Sequence, residues 1–131
     1  MAGAPGPLNL AIIVCDSIID DRKTGKKTLV GVFNRIAAGS FPCVHHSLSV
    51  FVSLTNGRGE YEAELRCVKS ATEEPIMEGK GKVGFKDPRD VVEIGFELRG
   101  LKFPEPGLYH LEFLCDGVPI GQRPFTVEEI K

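Results

Sequence analysis

The chain has 131 residues and a formal net charge of −2, from 16 Lys+Arg against 18 Asp+Glu, with 42% apolar and 26% charged residues. That size suits one domain around one core, and the composition excludes wholesale disorder, collagen-like repeats and a coiled coil. The near-neutral balance argues against a surface devoted to nucleic acid, and no apolar run approaches the roughly 20 residues that would span a bilayer.

Residues 1–7, rich in Gly and Pro, read as a disordered leader, which leaves residues 8–131 as a single β-sandwich domain. The apolar segment that follows lacks the marks of a secretion signal, because no Lys or Arg precedes Arg22 and Val14 stands directly before Cys15 where a lipoprotein signal needs a small residue. A cytoplasmic location is therefore expected. The four cysteines, at 15, 43, 67 and 115, form no CxxC pair and are expected to be reduced thiols.

Strand formers cut by 15 Gly and 9 Pro at short intervals predict an all-β chain. Residues 8–19 are apolar on both faces, as in a central strand covered twice or an edge strand docked on a partner. A charged turn over residues 20–27 leads to a second strand at 28–36. Further on, Leu48, Val50, Val52 and Leu54 share one face and Ser47, Ser49, Ser53 and Thr55 the other. Asn56-Gly57-Arg58-Gly59 then supplies residues that tolerate positive φ, and the chain returns with Tyr61, Ala63, Leu65 and Cys67 inward. The expected unit is an antiparallel hairpin.

Met77, Val83 and Phe85 share a parity with Gly79 and Gly81, which predicts a Gly-rich edge strand. Val92, Ile94, Phe96 and Leu98 mark another buried face. In the last third, Tyr109, Leu111, Phe113 and Cys115 alternate with His110 and Glu112. Asp116-Gly117 is a two-residue turn signal, and Pro119 and Pro124 predict that the returning strand is an edge. The expected architecture is an antiparallel Greek-key, immunoglobulin-like β-sandwich of seven or eight strands, the Gly-x-Tyr start of the penultimate strand resembling the corner of such folds.

Cys15-Asp16 after an apolar strand, Gly25-Lys26, Leu29-Val30-Gly31-Val32-Phe33, Phe41-Pro42, Gly107-Leu108-Tyr109, Asp116-Gly117-Val118-Pro119-Ile120 and Pro124-Phe125-Thr126-Val127 together resemble an uncharacterised bacterial family of small single-domain proteins. The resemblance covers about residues 8–127. It implies a β-sandwich and no assigned activity.

Three patterns raise chemistry. Cys43-Val44-His45-His46 gathers soft metal ligands, with His110 or another cysteine as further donors, and pairs a thiol with imidazole as a nucleophile would need. Asp16, Asp20, Asp21, Asp87, Asp90 and Asp116 sit at expected strand ends, where calcium-binding sandwiches collect oxygens and where Asp also simply caps turns. Glu78-Gly79-Lys80-Gly81-Lys82-Val83-Gly84 has glycines that admit an anion but lacks phosphate-loop spacing. None of these assigns a catalytic, cofactor-binding or metal-binding residue, and no cofactor is expected. The favoured reading is a non-catalytic binding or structural module that engages a protein partner or itself through a sheet edge. The alternatives are a calcium- or transition-metal-binding module and a small thiol-dependent hydrolase.

Overall fold

A computed structural model describes residues 6–131, which form nine strands and no helix. These are β1 (Leu8–Asp20), β2 (Lys27–Val32), β3 (Arg35–Ala38), β4 (Cys43–Thr55), β5 (Gly59–Lys69), β6 (Glu74–Phe85), β7 (Val91–Phe103), β8 (Gly107–Cys115) and β9 (Val118–Glu129). One sheet has the order β2-β1-β4-β7 and the other β3-β9-β8-β5-β6, the second curled like half a barrel. Of the expected leader, residues 1–5 lie outside the described residues, while Gly6 is half-buried and Pro7 buried.

The alternating rows build the core. Leu48, Val50, Val52 and Leu54 of β4 have no exposed surface, and they meet Leu65 and Cys67 of β5 and Leu111 and Phe113 of β8, equally enclosed, across the sandwich. Removing each such aliphatic or aromatic side chain from water is worth about 1.5–3 kcal/mol, so this layer drives assembly. Phe103, Tyr109 and Phe125 close one end: ring centroids stand 4.9 Å apart for Phe103 and Tyr109 and 6.0 Å for each of the other pairs. The Tyr109 hydroxyl donates to the Glu105 carbonyl at 2.7 Å, which ties the loop before β8 to the start of that strand.

Three expectations about connections change. The chain over 28–36 is two strands, because it leaves one sheet after Val32 and joins the other at Arg35; this raises the count from the expected seven or eight to nine. Pairing is antiparallel except that β3 runs parallel to β9, with Arg35 opposite Thr126 and Ala38 opposite Glu129. β4 and β5 do not form a hairpin. β4 lies between β1 and β7, β5 lies between β6 and β8, and Asn56 (φ 62°) and Gly59 (φ 74°) turn the chain from one sheet to the other. The bend is held where the Asn56 amide donates to the Pro88 carbonyl, 2.9 Å away.

The predicted edge at β9 is correct for the first two thirds of the strand. β3 covers it from Thr126 onward, leaving the stretch that carries Pro119 and Pro124 with β8 as its one neighbour. β6 is an edge strand as expected. A Cβ built at Gly79 would stand 3.6 Å from both Phe96 and Leu98 of β7, an ordinary contact distance, so β6 packs beside β7 there without requiring glycine.

In β7 the buried parity reverses. Leu98 is buried on the even phase, Leu101 and Phe103 on the odd one, and between them Gly100 adopts φ 67°. The paired end of β4 reverses with it, so that Cys43 and His45 are half-buried while Val44 and His46 point to solvent. Glycine bears the positive φ without a Cβ clash, which makes it the natural residue for such a reversal.

Three substitutions test this packing. A Cβ at Gly57 would run into the Phe85 ring, whereas nothing lies within 4 Å of one at Gly81. Gly57→Ala should therefore cost about 1–3 kcal/mol in urea unfolding and Gly81→Ala less than about 0.5 kcal/mol. Tyr109→Phe, which deletes one hydrogen bond and keeps the ring, should cost about 1 kcal/mol.

Candidate functional site

The local clusters legible in the sequence are taken apart by the strands that carry them. On β4, Cys43 and His45 share a face and His46 points away from it. The His45 ring is 6.0 Å from that of Phe33. His110 lies in the other sheet, where its Nδ1 is 2.9 Å from the Ser70 hydroxyl. Among the described residues no group of three His, Cys, Asp or Glu side chains converges as a metal site would require.

Four of the six aspartates are engaged locally or across strands. Asp21 accepts from the Lys23 amide at 2.8 Å and the Thr24 amide at 3.2 Å. Asp87 accepts from the Arg89 amide at 2.8 Å and pairs with its guanidinium, which holds the carboxyl below its ordinary range. Asp116 accepts from the Glu62 amide at 2.8 Å, and Asp20 is paired with Lys27. Lys80 and Lys82 stand exposed on the edge strand β6, with Lys82 3.9 Å from Glu62, and guard that edge with charge.

The thiols sit in apolar surroundings. Burial pushes Cys67 up to about 12, and burial with the neighbouring Asp116 charge pushes Cys115 up to about 11. Cys15, raised by burial and then by Asp16, and Cys43, raised by burial, move in the same direction. Each thiol is thus held in its protonated, weakly nucleophilic form near neutral pH.

What the fold assembles instead lies where the chain crosses between sheets at Phe33 and Asn34. On one side a groove of about 320 Å³ is lined by Asp16, Val32, Phe33, Arg35, Ile36 and His45. Gly31, at φ 68°, makes room there for the Asp16 carboxylate, which occupies the space a Cβ would need. Arg35 is paired with Glu128 at 3.1 Å. On the other side a groove of about 400 Å³ is lined by Asn34, Leu108, Arg123, Pro124, Phe125 and Thr126. The Asn34 carbonyl accepts from the Thr126 amide at 3.0 Å, and its side-chain oxygen accepts from Arg123 at 2.7 Å. These residues come from distant stretches of sequence, so no local motif announces them.

The four sheet edges differ in chemistry. β6 presents Lys80 and Lys82; β7 presents Glu93, Glu97 and Arg99; β3 has four residues and begins with Arg35. β2 carries no charge from Thr28 to Val32. Its Val30 and Val32 are 40% and 55% exposed, and Ile19 on the adjacent β1 is 54% exposed. Pairing of β1 with β4 ends at Cys15, and Ile18 beyond it reaches β7, where a Cβ at Gly95 would lie 3.1 Å from its side chain.

These features define an all-β, two-sheet sandwich with open grooves beside the crossing segment and a terminal strand, β2, that is uncharged from Thr28 to Val32. The chain belongs to a family described as "Family of unknown function (DUF6941)", which matches residues 10–128. No curated protein matches it. Among solved structures it is similar to the Pseudomonas fluorescens alkylpurine DNA glycosylase AlkC bound to DNA containing an abasic site analog, with a TM-score of 0.52 and 15% identity over 96% of this chain and 32% of that one. A β-glucosidase from Listeria innocua in complex with isofagomine gives a TM-score of 0.49 and 14% identity over 90% of this chain and 16% of that one. The chain thus spans about a third or less of the length of these proteins, and the first likeness concerns the fold alone.

Thiol titration checks the electrostatics. At about pH 7.5 a disulfide reagent should react promptly with at most one cysteine of the native protein, Cys43, and with all four after denaturation. A raised native thiol pKa stabilises the fold at pH values below the unfolded thiol pKa, and that stability is lost as pH rises toward the native value. The stability difference between the natural chain and Cys67→Val should therefore fall by about 1 kcal/mol per pH unit between about pH 9 and 11.

Proposed function

We propose that this protein is a non-catalytic, immunoglobulin-like module of the cytoplasm that works by strand addition at the free edge of β2, its partner being a second copy of the chain. The immunoglobulin-like arrangement is supported by three features. Successive strands β4 and β5, and again β7 and β8, lie in opposite sheets; β3 runs parallel beside the last strand; and the Tyr109 hydroxyl bonds back to Glu105 where β8 begins, as a tyrosine corner does.

The observation that carries the binding role is the chemistry of β2. The other terminal strands are short or guarded by charge and the open stretch of β9 is interrupted by Pro119 and Pro124, while residues 28–32 have none of these guards and expose Val30 and Val32 beside Ile19. Backbone groups on such an edge gain partners when another strand docks, and apolar side chains beside it lose water. A twofold axis through the edge pairs β2 with its own copy, the simplest closed assembly. Gly31, just past Val30, takes φ 68°, outside the extended range, which limits regular added pairing to a short stretch.

The competing readings have less support. A metal-dependent role would draw on aspartates of which Asp20, Asp21, Asp87 and Asp116 are already engaged by hydrogen bonds or ion pairs, and on histidines that point apart. A thiol hydrolase would need a thiolate that burial disfavours at all four cysteines.

Light scattering coupled to size exclusion tests the proposal. Twice the 14.3 kDa chain mass is expected at about 100 μM, and Val30→Lys should return it to a single chain mass by placing a charge on the paired edge. One chain mass at every concentration up to about 1 mM, or a Val30→Lys protein that stays dimeric, would overturn it.

A further inference from the structure

Arg123 stands apart from the other arginines on strands. Arg35 is paired with Glu128, Arg66 lies among Glu64, Glu78 and Glu112, and Arg99 is paired with Glu97. Arg123, half-buried in β9, has no carboxylate within ion-pair distance among the described residues, and its side-chain partner is the amide oxygen of Asn34, 2.7 Å away. A guanidinium offers five donors in a planar fork, and one neutral acceptor leaves most of that capacity open.

The surroundings hold this fork in place. Asn34 is pinned through its backbone carbonyl to the Thr126 amide, so the acceptor that orients Arg123 is itself positioned by the β3 and β9 pairing. The groove of about 400 Å³ in front of it has Pro124 and Leu108 as apolar walls, with Leu108 54% exposed. The Asn34 amide has two donors left after its oxygen is used, and the Thr126 hydroxyl can donate or accept. A fixed cation, neutral polar groups at hydrogen-bonding reach of a peptide unit, and an apolar wall therefore meet in one concave site.

We propose that this groove binds the carboxyl-terminal residue of a peptide with an apolar last side chain, its carboxylate held by Arg123 and its side chain laid against Leu108 and Pro124. Bidentate pairing of a guanidinium with a carboxylate supplies orientation as well as affinity. Asn34 and Thr126 address the preceding peptide group, which separates a peptide from a simple aliphatic acid. The site is distinct from the β2 edge, and loss of either leaves the other standing.

The test is a titration of the full chain, labelled with ¹⁵N, with N-acetyl-L-leucine, N-acetyl-L-leucinamide and hexanoate, each to about 50 mM at about pH 7. A ligand of that size should bind in the millimolar range. Saturable shifts are expected at the Leu108 and Thr126 amides and the Asn34 side chain with N-acetyl-L-leucine. The neutral amide should bind about tenfold more weakly, because it lacks the charge-assisted bonds. Arg123→Gln should weaken the acid about tenfold and leave the amide unchanged. Hexanoate that binds as tightly as N-acetyl-L-leucine would overturn the peptide assignment. Shifts that never saturate, an amide as tight as the acid, or undiminished binding by Arg123→Gln would overturn the site. The comparison of acid with amide on the unaltered protein decides the matter even if the substituted protein does not fold.

Discussion

Two pleated surfaces meeting over a dry layer is the constraint on which the molecule depends. β4 contributes four consecutive inward residues without exposed surface, and β5 and β8 answer with Leu65, Cys67, Leu111 and Phe113. Because side chains alternate along a strand, shifting any of these strands by one residue would exchange its apolar row for a polar one. That penalty fixes register throughout the centre and leaves freedom at the margins. The hydrophobic rows are thus the rigid part of the design, and the crossings, edges and grooves are where chemistry varies.

This division explains what the sequence makes legible. The inward row from Leu48 to Leu54 and the turn at Asp116-Gly117 follow from alternation and local φ preferences, and the structure places them as expected. The pairing of β4 with β5 fails for a physical reason: a hairpin within one sheet and a corner between two sheets leave the same alternating pattern, and only long-range packing separates them. The break between Val32 and Arg35 is hidden by an apolar run that continues through Phe33. The reversal at Gly100 leaves a trace in the wider spacing of Leu98 and Leu101 around Arg99-Gly100, a signal that period-two reading passes over.

The site is less legible than the fold. Adjacent residues such as His45 and His46 suggest shared chemistry, but neighbouring positions on a strand face opposite ways. Clusters on strands form instead between residues two apart, or between strands. The Arg66 network is of that kind, uniting Glu64 on its own strand with Glu78 and Glu112 on either side. The grooves beside the crossing segment take this further, since Asn34 and Arg123 are brought together only by the parallel ladder of β3 with β9.

That ladder also imposes an order on biosynthesis. The first sheet is complete once the ribosome has released β7, since all its members precede Gly107. The second cannot be finished until β9 emerges, because β3 lies against that strand. A nascent chain must therefore hold Ile36, an early-made residue, without its eventual neighbour through most of translation. Closing so long a loop carries an entropic cost that the early hairpin of β1 and β2 does not face. Growing chains thus hold every strand of one wall before the last strand of the other exists.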